Sequence, residues 1–400
     1  MTSVRNKFDY LIVGAGIVGL ATAWRLRQKF PQAQIGIVEK ETAVGRHQSS
    51  HNSGVIHAGV YYPPTSLKAQ LCRAGVAATL MFCREHGIAA RQCGKLIVAT
   101  SDAEVGRLRE LATRAADNRL QCEWLDAAEL GRREAAIVGK AALLVRETGI
   151  ADYPAVCETL RQLLIDSDAK MILGAAVESI HEASQSVTVT AGRHELETSR
   201  LIVCAGLQAD RLAHLGGVKH DLVILPFRGD YYRLSATRNT LVRHLIYPVP
   251  DPRLPFLGVH LTLTTAGHLT LGPTAMLALA RERYWKWAFD SRDALATLSH
   301  PGTWRLLARF PRAGALELAH ALSRRLYLAA ARRYCPQLTL NDLADRDCGV
   351  RAQAVNRRGE MLGDFVIEHT ARSVHVLNAP SPAATAAFPI ADSIVARLER

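Results

Sequence analysis

Paired cysteines are missing from this chain. Its eight cysteines, at positions 72, 83, 93, 122, 157, 204, 335 and 348, include no C-x-x-C pair and no histidine neighbours at zinc-finger spacing. Spread over 400 residues they do not read as a disulfide framework, so a reducing, cytoplasmic setting with mostly buried thiols and no metal site is expected. Aromatic residues are scarce, at 6%, and no aromatic–basic alternation or nucleic-acid motif is present. No apolar run reads as the roughly 20 residues of a membrane-spanning helix. The stretch from Leu11 to Leu26 imitates a signal or anchor segment behind Arg5 and Lys7, but three glycines interrupt it. Acidic side chains are outnumbered, 37 against 49 Lys+Arg, for a formal net charge of +12. Such a balance suits anionic partners: nucleic acid, anionic lipid, or small anionic substrates and cofactors. With 48% hydrophobic and 22% charged residues, disordered, fibrous and polytopic membrane classes are excluded, and the length implies more than one structural unit.

The first forty residues carry a defined signal. Phe8–Val13 is a short apolar strand, Gly14-Ala15-Gly16-Ile17-Val18-Gly19 follows, and Leu20–Phe30 has helical periodicity. A second strand, Ile35–Val38, ends at Glu39. This order predicts a dinucleotide-binding βαβ unit. Gly14 permits the tight turn and Gly16 lets the backbone approach a pyrophosphate at the helix N-terminus. Gly19 lets helix and strand pack closely, and Glu39 offers a carboxylate to a ribose hydroxyl. The unit alone does not choose between FAD and NAD. Leu201–Val203 followed by Cys204-Ala205-Gly206 reads as a later apolar strand ending in small residues, where a flavin cofactor meets the chain a second time in many flavoproteins.

Several motifs together resemble the L-2-hydroxyglutarate dehydrogenase/oxidase family of FAD enzymes, within the D-amino-acid-oxidase-like fold group. They are Ser49-Ser50-His51-Asn52-Ser53-Gly54-Val55-Ile56-His57-Ala58-Gly59-Val60-Tyr61-Tyr62, Ser66–Cys72, Pro226–Tyr232, Pro255–His260, Leu271-Gly272-Pro273, Gly349-Val350-Arg351-Ala352-Gln353 and Asn378–Thr385. Position 352 departs from the wider group, where proline usually follows the arginine, and Glu147–Asp152 matches loosely. The resemblance implies an α/β architecture: a Rossmann-type FAD-binding domain and a discontinuous α+β substrate domain built on an antiparallel sheet. It implies oxidation of L-2-hydroxyglutarate to 2-oxoglutarate, with a hydride moving from C2 to flavin N5 and electrons leaving to a quinone or oxygen.

Site residues follow from the motifs. Small residues at Ser50, Asn52 and Ser53 allow the backbone to pass close to an isoalloxazine ring, with Ala205 and Gly206 meeting the cofactor from the later strand. Proline-bracketed Ala383, Ala384 and Thr385 open the C-terminal helix and present N–H groups to the side of the flavin where negative charge develops. Removing a hydroxyl proton suits a neutral histidine, and His57 and His260 are the candidates; His57 is also a candidate covalent flavin attachment point. Arg351 is expected to grip the substrate carboxylate, as the Gly-x-Arg arginine does in the wider group, with Lys68 and Arg228 as candidates for the second carboxylate.

The cofactor contacts fall in three blocks, so the FAD domain is expected to comprise 1–90, 145–220 and 340–400, and the substrate domain 91–144 and 221–339. The surplus charge is uneven, with eleven Lys/Arg and four Asp/Glu between 270 and 340. Tyr284-Trp285-Lys286-Trp287 lies there beside a helix expected from Leu316 to Arg333 that carries Arg324, Arg325, Arg332 and Arg333. Two readings stand side by side: peripheral docking on the inner face of an anionic membrane, where a quinone would collect electrons, and a solvated helix packing on the substrate domain. Competing functions are a flavoenzyme of the same fold group acting on an amino acid or glycerol 3-phosphate, and a nucleic-acid-binding protein with a structural dinucleotide.

Overall fold

The computed structural model describes residues 6–251 and 258–398; the Pro255–Leu257 part of one family motif lies outside them. Strand β1 (Asn6–Val13) and strand β2 (Ile35–Val38) run parallel, joined by helix α1 (Ile17–Lys29). On the other side of β1 the strand His194–Val203 is also parallel, and Ser373–Asn378 and Lys170–Ile172 extend the parallel core outward. Leu11, Ile12, Val13, Ile35, Ile37 and Val38 are buried, as expected for strands covered on both faces. One face packs α1, Tyr153–Asp166 and Ala387–Arg397; the other carries the antiparallel hairpin Val177–Glu182/Val187–Ala191. Val13, Val38 and Val203 end at one level. The chain departs from β1 in both lateral directions, which leaves a crevice at the carboxyl ends of these strands.

The second sheet is built on a long pair, Val223–Leu234 against Leu343–Val355. It continues through Leu269–Gly272, His260–Leu263, Leu245–Pro248, Lys95–Ala99, Ala141–Val145 and Cys122–Asp126. The sheet is not purely antiparallel, because Leu245–Pro248 and Lys95–Ala99 pair in parallel. These strands come from distant segments, so no hairpin dictates their direction. Leu343–Val355 falls within the block expected for the FAD domain, yet its thirteen residues belong to this second sheet. Val223–Leu234 runs as one strand through Pro226.

The helix expected from Leu316 to Arg333 is two helices, Pro311–Leu322 and Arg324–Arg332. Ser323 leaves helical geometry between them and caps the second, accepting a hydrogen bond from the Leu326 N–H at 3.3 Å. No helix among the described residues is long and apolar enough to cross a membrane.

Candidate active site

One continuous cavity of about 1050 Å³ runs from the β1–α1 turn to the second sheet. At its nucleotide end, Gly14 has φ +101°, and a Cβ there would lie 2.4 Å from the Cys204 carbonyl oxygen, so only glycine allows the two strand ends to approach this closely. Gly19 does not line the cavity; a Cβ on it would stand 2.0 Å from the Gly14 carbonyl oxygen, which makes it the closest packing point of helix on turn. Helix α1 begins at Gly16, which has no side chain of its own to cap it, and its positive N-terminal end turns to the cavity. Glu39 closes this end, its Oε2 accepting the Ala15 N–H at 2.7 Å and its Oε1 the Glu41 N–H at 3.0 Å. An anionic pyrophosphate at this helix end, with a ribose at Glu39, fits this donor and acceptor set.

The serine in contact here is Ser49, not Ser50. Buried Ser49 accepts the Ile17 N–H on its hydroxyl at 2.9 Å, whereas Ser50 is exposed and its hydroxyl binds the Gly45 carbonyl. The turn 47–51 is helix-like, so adjacent side chains diverge and only one of two serines faces the cofactor end. Asn52 and Ser53 line the cavity, and Asn52 accepts the Gly54 N–H on its Oδ1 at 2.8 Å. Ala205 and Gly206 line it from the end of His194–Val203.

The C-terminal turn enters opposite. Thr385 is fully buried and joins three segments through Oγ1: it accepts from the His57 N–H (3.1 Å), lies 3.1 Å from the Tyr153 hydroxyl, and reaches the Val55 carbonyl at 3.3 Å. Ala383 and Ala384 line the cavity, but the Ala383 N–H is bonded to the Pro380 carbonyl at 3.0 Å.

At the far end, His57, His260, Arg351 and Lys68 converge on the cavity. His260, at the start of His260–Leu263, is 4% exposed. Its Nδ1 sits 3.0 Å from the Gly258 carbonyl; a carbonyl only accepts, so Nδ1 carries the proton and Nε2 presents a lone pair. Burial is the main reason its pKa falls to about 3, with Arg351 and Lys95 adding to it. Burial likewise holds His57 well below the usual imidazole range, reinforced by Lys95, His260, Arg351 and Lys68. Arg351 is hydrogen-bonded to Tyr231 on the paired strand. Lys68 donates to the Gly363 carbonyl at 3.2 Å and lies 4.5 Å from the centre of the Tyr62 ring, and burial lowers its pKa to about 8.

Arg228 does not join them. Gly229 and Tyr231 share the cavity face with Arg351, so alternation turns Arg228 and Asp230 to the opposite face. There Arg228 Nε meets Asp230 at 3.0 Å and its Nη1 donates to the Trp285 carbonyl at 3.0 Å. It is a neutralised structural cation. Sequence reasoning missed Tyr61, Lys95, Tyr231 and Tyr247. The signal for Lys95 was present, a lone lysine opening the otherwise apolar run Lys95-Leu96-Ile97-Val98-Ala99.

A glycine turn at a helix N-terminus, an acid at the end of the second strand and a second sheet closing over the far end of the cavity define the class, a dinucleotide-dependent oxidoreductase. A family model described as FAD dependent oxidoreductase matches residues 9–398. L-2-hydroxyglutarate dehydrogenase from Escherichia coli (strain K12) is 45% identical over 393 residues, covering 98% of this chain and 93% of that protein. The mitochondrial L-2-hydroxyglutarate dehydrogenase of Homo sapiens is 36% identical, covering 99% and 89%. Among solved structures, L-alpha-glycerophosphate oxidase from Mycoplasma pneumoniae with FAD bound superposes with a TM-score of 0.80 at 21% identity, covering 99% and 96%; that similarity concerns the fold. The chain belongs to the FAD-dependent oxidoreductases and, within them, to the L-2-hydroxyglutarate dehydrogenase family.

Proposed function

We propose that this protein oxidises L-2-hydroxyglutarate to 2-oxoglutarate. The observation that carries the reading is the 45% identity across nearly the whole chain, joined to a cavity where cations and neutral imidazoles face one another. FAD, when bound, supplies the acceptor for a hydride, which carries both electrons of the oxidation. The chain's own residues do the rest. Arg351, steadied by Tyr231, is placed to take the carboxylate next to the reacting carbon through its planar fork. His260 Nε2 is aimed as an acceptor for the substrate hydroxyl proton, with His57 the alternative from the other domain. Both rings are neutral in a cationic pocket. A substrate bringing two negative charges offsets the part of their pKa lowering that comes from the neighbouring cations, and so favours uptake of a proton.

Anaerobic addition of L-2-hydroxyglutarate is expected to bleach the flavin absorbance. Bleaching by a D-amino acid, sarcosine or glycerol 3-phosphate, with none by L-2-hydroxyglutarate, would refute the reading.

The electrons are proposed to pass to a quinone at a membrane surface, and less efficiently to oxygen. Trp285, Trp287, Phe289, Leu295, Trp304 and Leu322 are all at least 56% exposed and lie in one basic stretch of chain, a composition suited to the interface of an anionic bilayer. Not every arginine there is available: Arg333 is tied to Glu104, and Arg324 to the Leu343 carbonyl. The protein should float with anionic liposomes at low salt and remain at the bottom with neutral ones; absence of binding to anionic liposomes removes the docking proposal.

A further inference from the structure

Among the described residues, three long cationic side chains are almost wholly withdrawn from solvent: Lys95, Arg228 and Arg281 are 1%, 2% and 0% exposed. Two of them have a carboxylate partner. Arg228 pairs with Asp230, which it shares with Arg346, and Arg281 forms a two-point bridge to Asp210 at 2.6 and 2.8 Å. Lys95 forms no ion pair among the described residues. Its ammonium lies instead 4.4 Å from the centre of the Tyr61 ring and 5.0 Å from that of Tyr247. A buried cation held only by ring faces leaves much of its charge uncompensated. Both rings line the cavity, and Tyr247 stacks on His260 at 3.9 Å. The second observation concerns Tyr61, whose buried hydroxyl has no hydrogen-bond partner among the described residues. Buried hydroxyls without partners are rare and call for an explanation.

Resting on the reading that the substrate is a dicarboxylic 2-hydroxy acid, we propose that Tyr61 and Lys95 form the subsite for the carboxylate remote from the reacting carbon. Tyr61 donates its hydroxyl proton to that carboxylate, and Lys95, behind the ring, supplies the compensating positive charge. Lys95 is thus a positioning residue that acts through the aromatic wall, and the pair selects a dianion over a monoanion of the same length. Lys68 and Arg228 are less suited to this task, since one is engaged with Gly363 and the other faces away.

The test compares binding of 2-oxoglutarate and the five-carbon monoacid 2-oxopentanoate to the FAD-loaded protein, read from the flavin spectrum. Tyr61→Phe should weaken 2-oxoglutarate about 10-fold, as loss of a hydrogen bond to a charged group implies, and Lys95→Met about 10-fold through loss of the compensating charge behind the ring. Binding of 2-oxopentanoate should change less than about threefold, and Lys95→Arg should restore most of the discrimination. A merely structural lysine would lower both affinities together and reduce flavin content; equal losses, or none, overturn the proposal.

A second measurement needs no Lys95 variant. Burial lowers the Lys95 pKa to about 8, so its charge is lost as pH rises through that value. Around it, burial holds Tyr61 and Tyr247 above their usual range, Cys72 at about 12 and Cys122 at about 11, while His57 and His260 are held low and the Arg351 guanidinium contributes positive charge. Lys68 also falls to about 8, so the experiment is run in a Lys68→Met background. Between pH 7 and 9 the preference for the dianion should drop about 10-fold; a constant preference overturns the proposal. If L-2-hydroxyglutarate fails to reduce the wild-type flavin, the reading of the substrate fails instead, which separates the two.

Discussion

Thr385→Val tests whether the C-terminal turn is held to the front of the cavity by a single hydroxyl. Valine keeps the shape of threonine and removes one oxygen that serves the His57 N–H, the Tyr153 hydroxyl and the Val55 carbonyl. The consequences differ by partner. The Tyr153 hydroxyl retains the Val55 carbonyl at 3.3 Å, so it is not stranded and also relieves that carbonyl. The His57 N–H loses its acceptor, and an orphaned donor of this kind costs about 1–3 kcal/mol. The expected loss is therefore about 2 kcal/mol rather than the sum over three bonds. Tyr153→Phe alone should cost about 1 kcal/mol, and the double variant should show coupling of about 1 kcal/mol because both act on one oxygen. The assay is urea unfolding of the holoprotein, with released FAD followed by fluorescence and the fold by circular dichroism. A Thr385→Val midpoint unchanged within error, at full flavin content, would refute the claim that this hydroxyl ties residues 55–57 to the C-terminal turn.

Arg351→Ala should retain FAD while weakening 2-oxoglutarate binding by about 2–5 kcal/mol, as for removal of one member of a buried hydrogen-bonded charge pair; titration followed through the flavin spectrum reads it, and unchanged binding removes Arg351 from the site. Gly14→Ala places a Cβ 2.4 Å from the Cys204 carbonyl oxygen at φ +101°, so the purified protein should be colourless, and a normal flavin-to-protein absorbance ratio contradicts the close-approach argument. Asp210→Ala removes the two-point carboxylate from the buried Arg281 guanidinium and leaves it only Asp293 at 3.9 Å; it should destabilise by about 3 kcal/mol in urea, with Asp210→Asn milder. Burial lowers His260 to about 3 and His375 to about 4, whereas the unfolded chain takes up protons near 6.5. Their stabilising contribution is therefore complete above about pH 6.5 and declines as pH falls below it. His375→Leu should flatten the fall in urea midpoint between pH 7 and 5, and an unchanged slope contradicts that origin.

Local physics made the nucleotide end of the site legible in the amino-acid order. A glycine turn between two apolar strands, with an acid after the second, draws all its meaning from neighbours within about thirty residues of chain. Gly14, Gly16, Gly19 and Glu39 could be named for that reason. The far end was only partly legible. His57, His260, Lys68 and Arg351 were found through motifs and meet at the cavity. Motifs did not disclose that one residue of phase in an antiparallel pair sends Arg228 to the opposite face, or that Ser49 rather than Ser50 meets helix α1. Side-chain direction depends on register and local turn geometry, which are long-range or cooperative properties.

Composition gave a surplus of positive charge, and the tertiary structure decided where that charge has consequences. Arg228 and Arg281 meet aspartates brought to them by folding, and Arg333 is tied to Glu104. Lys95, by contrast, is closed in by Tyr61 and Tyr247 from two other segments. By itself the sequence determined the cofactor class, the family and several residues that line the cavity. Only the fold determined which cations remain uncompensated, because electrostatic compensation depends on distance in space and desolvation, and neither follows the order of the chain.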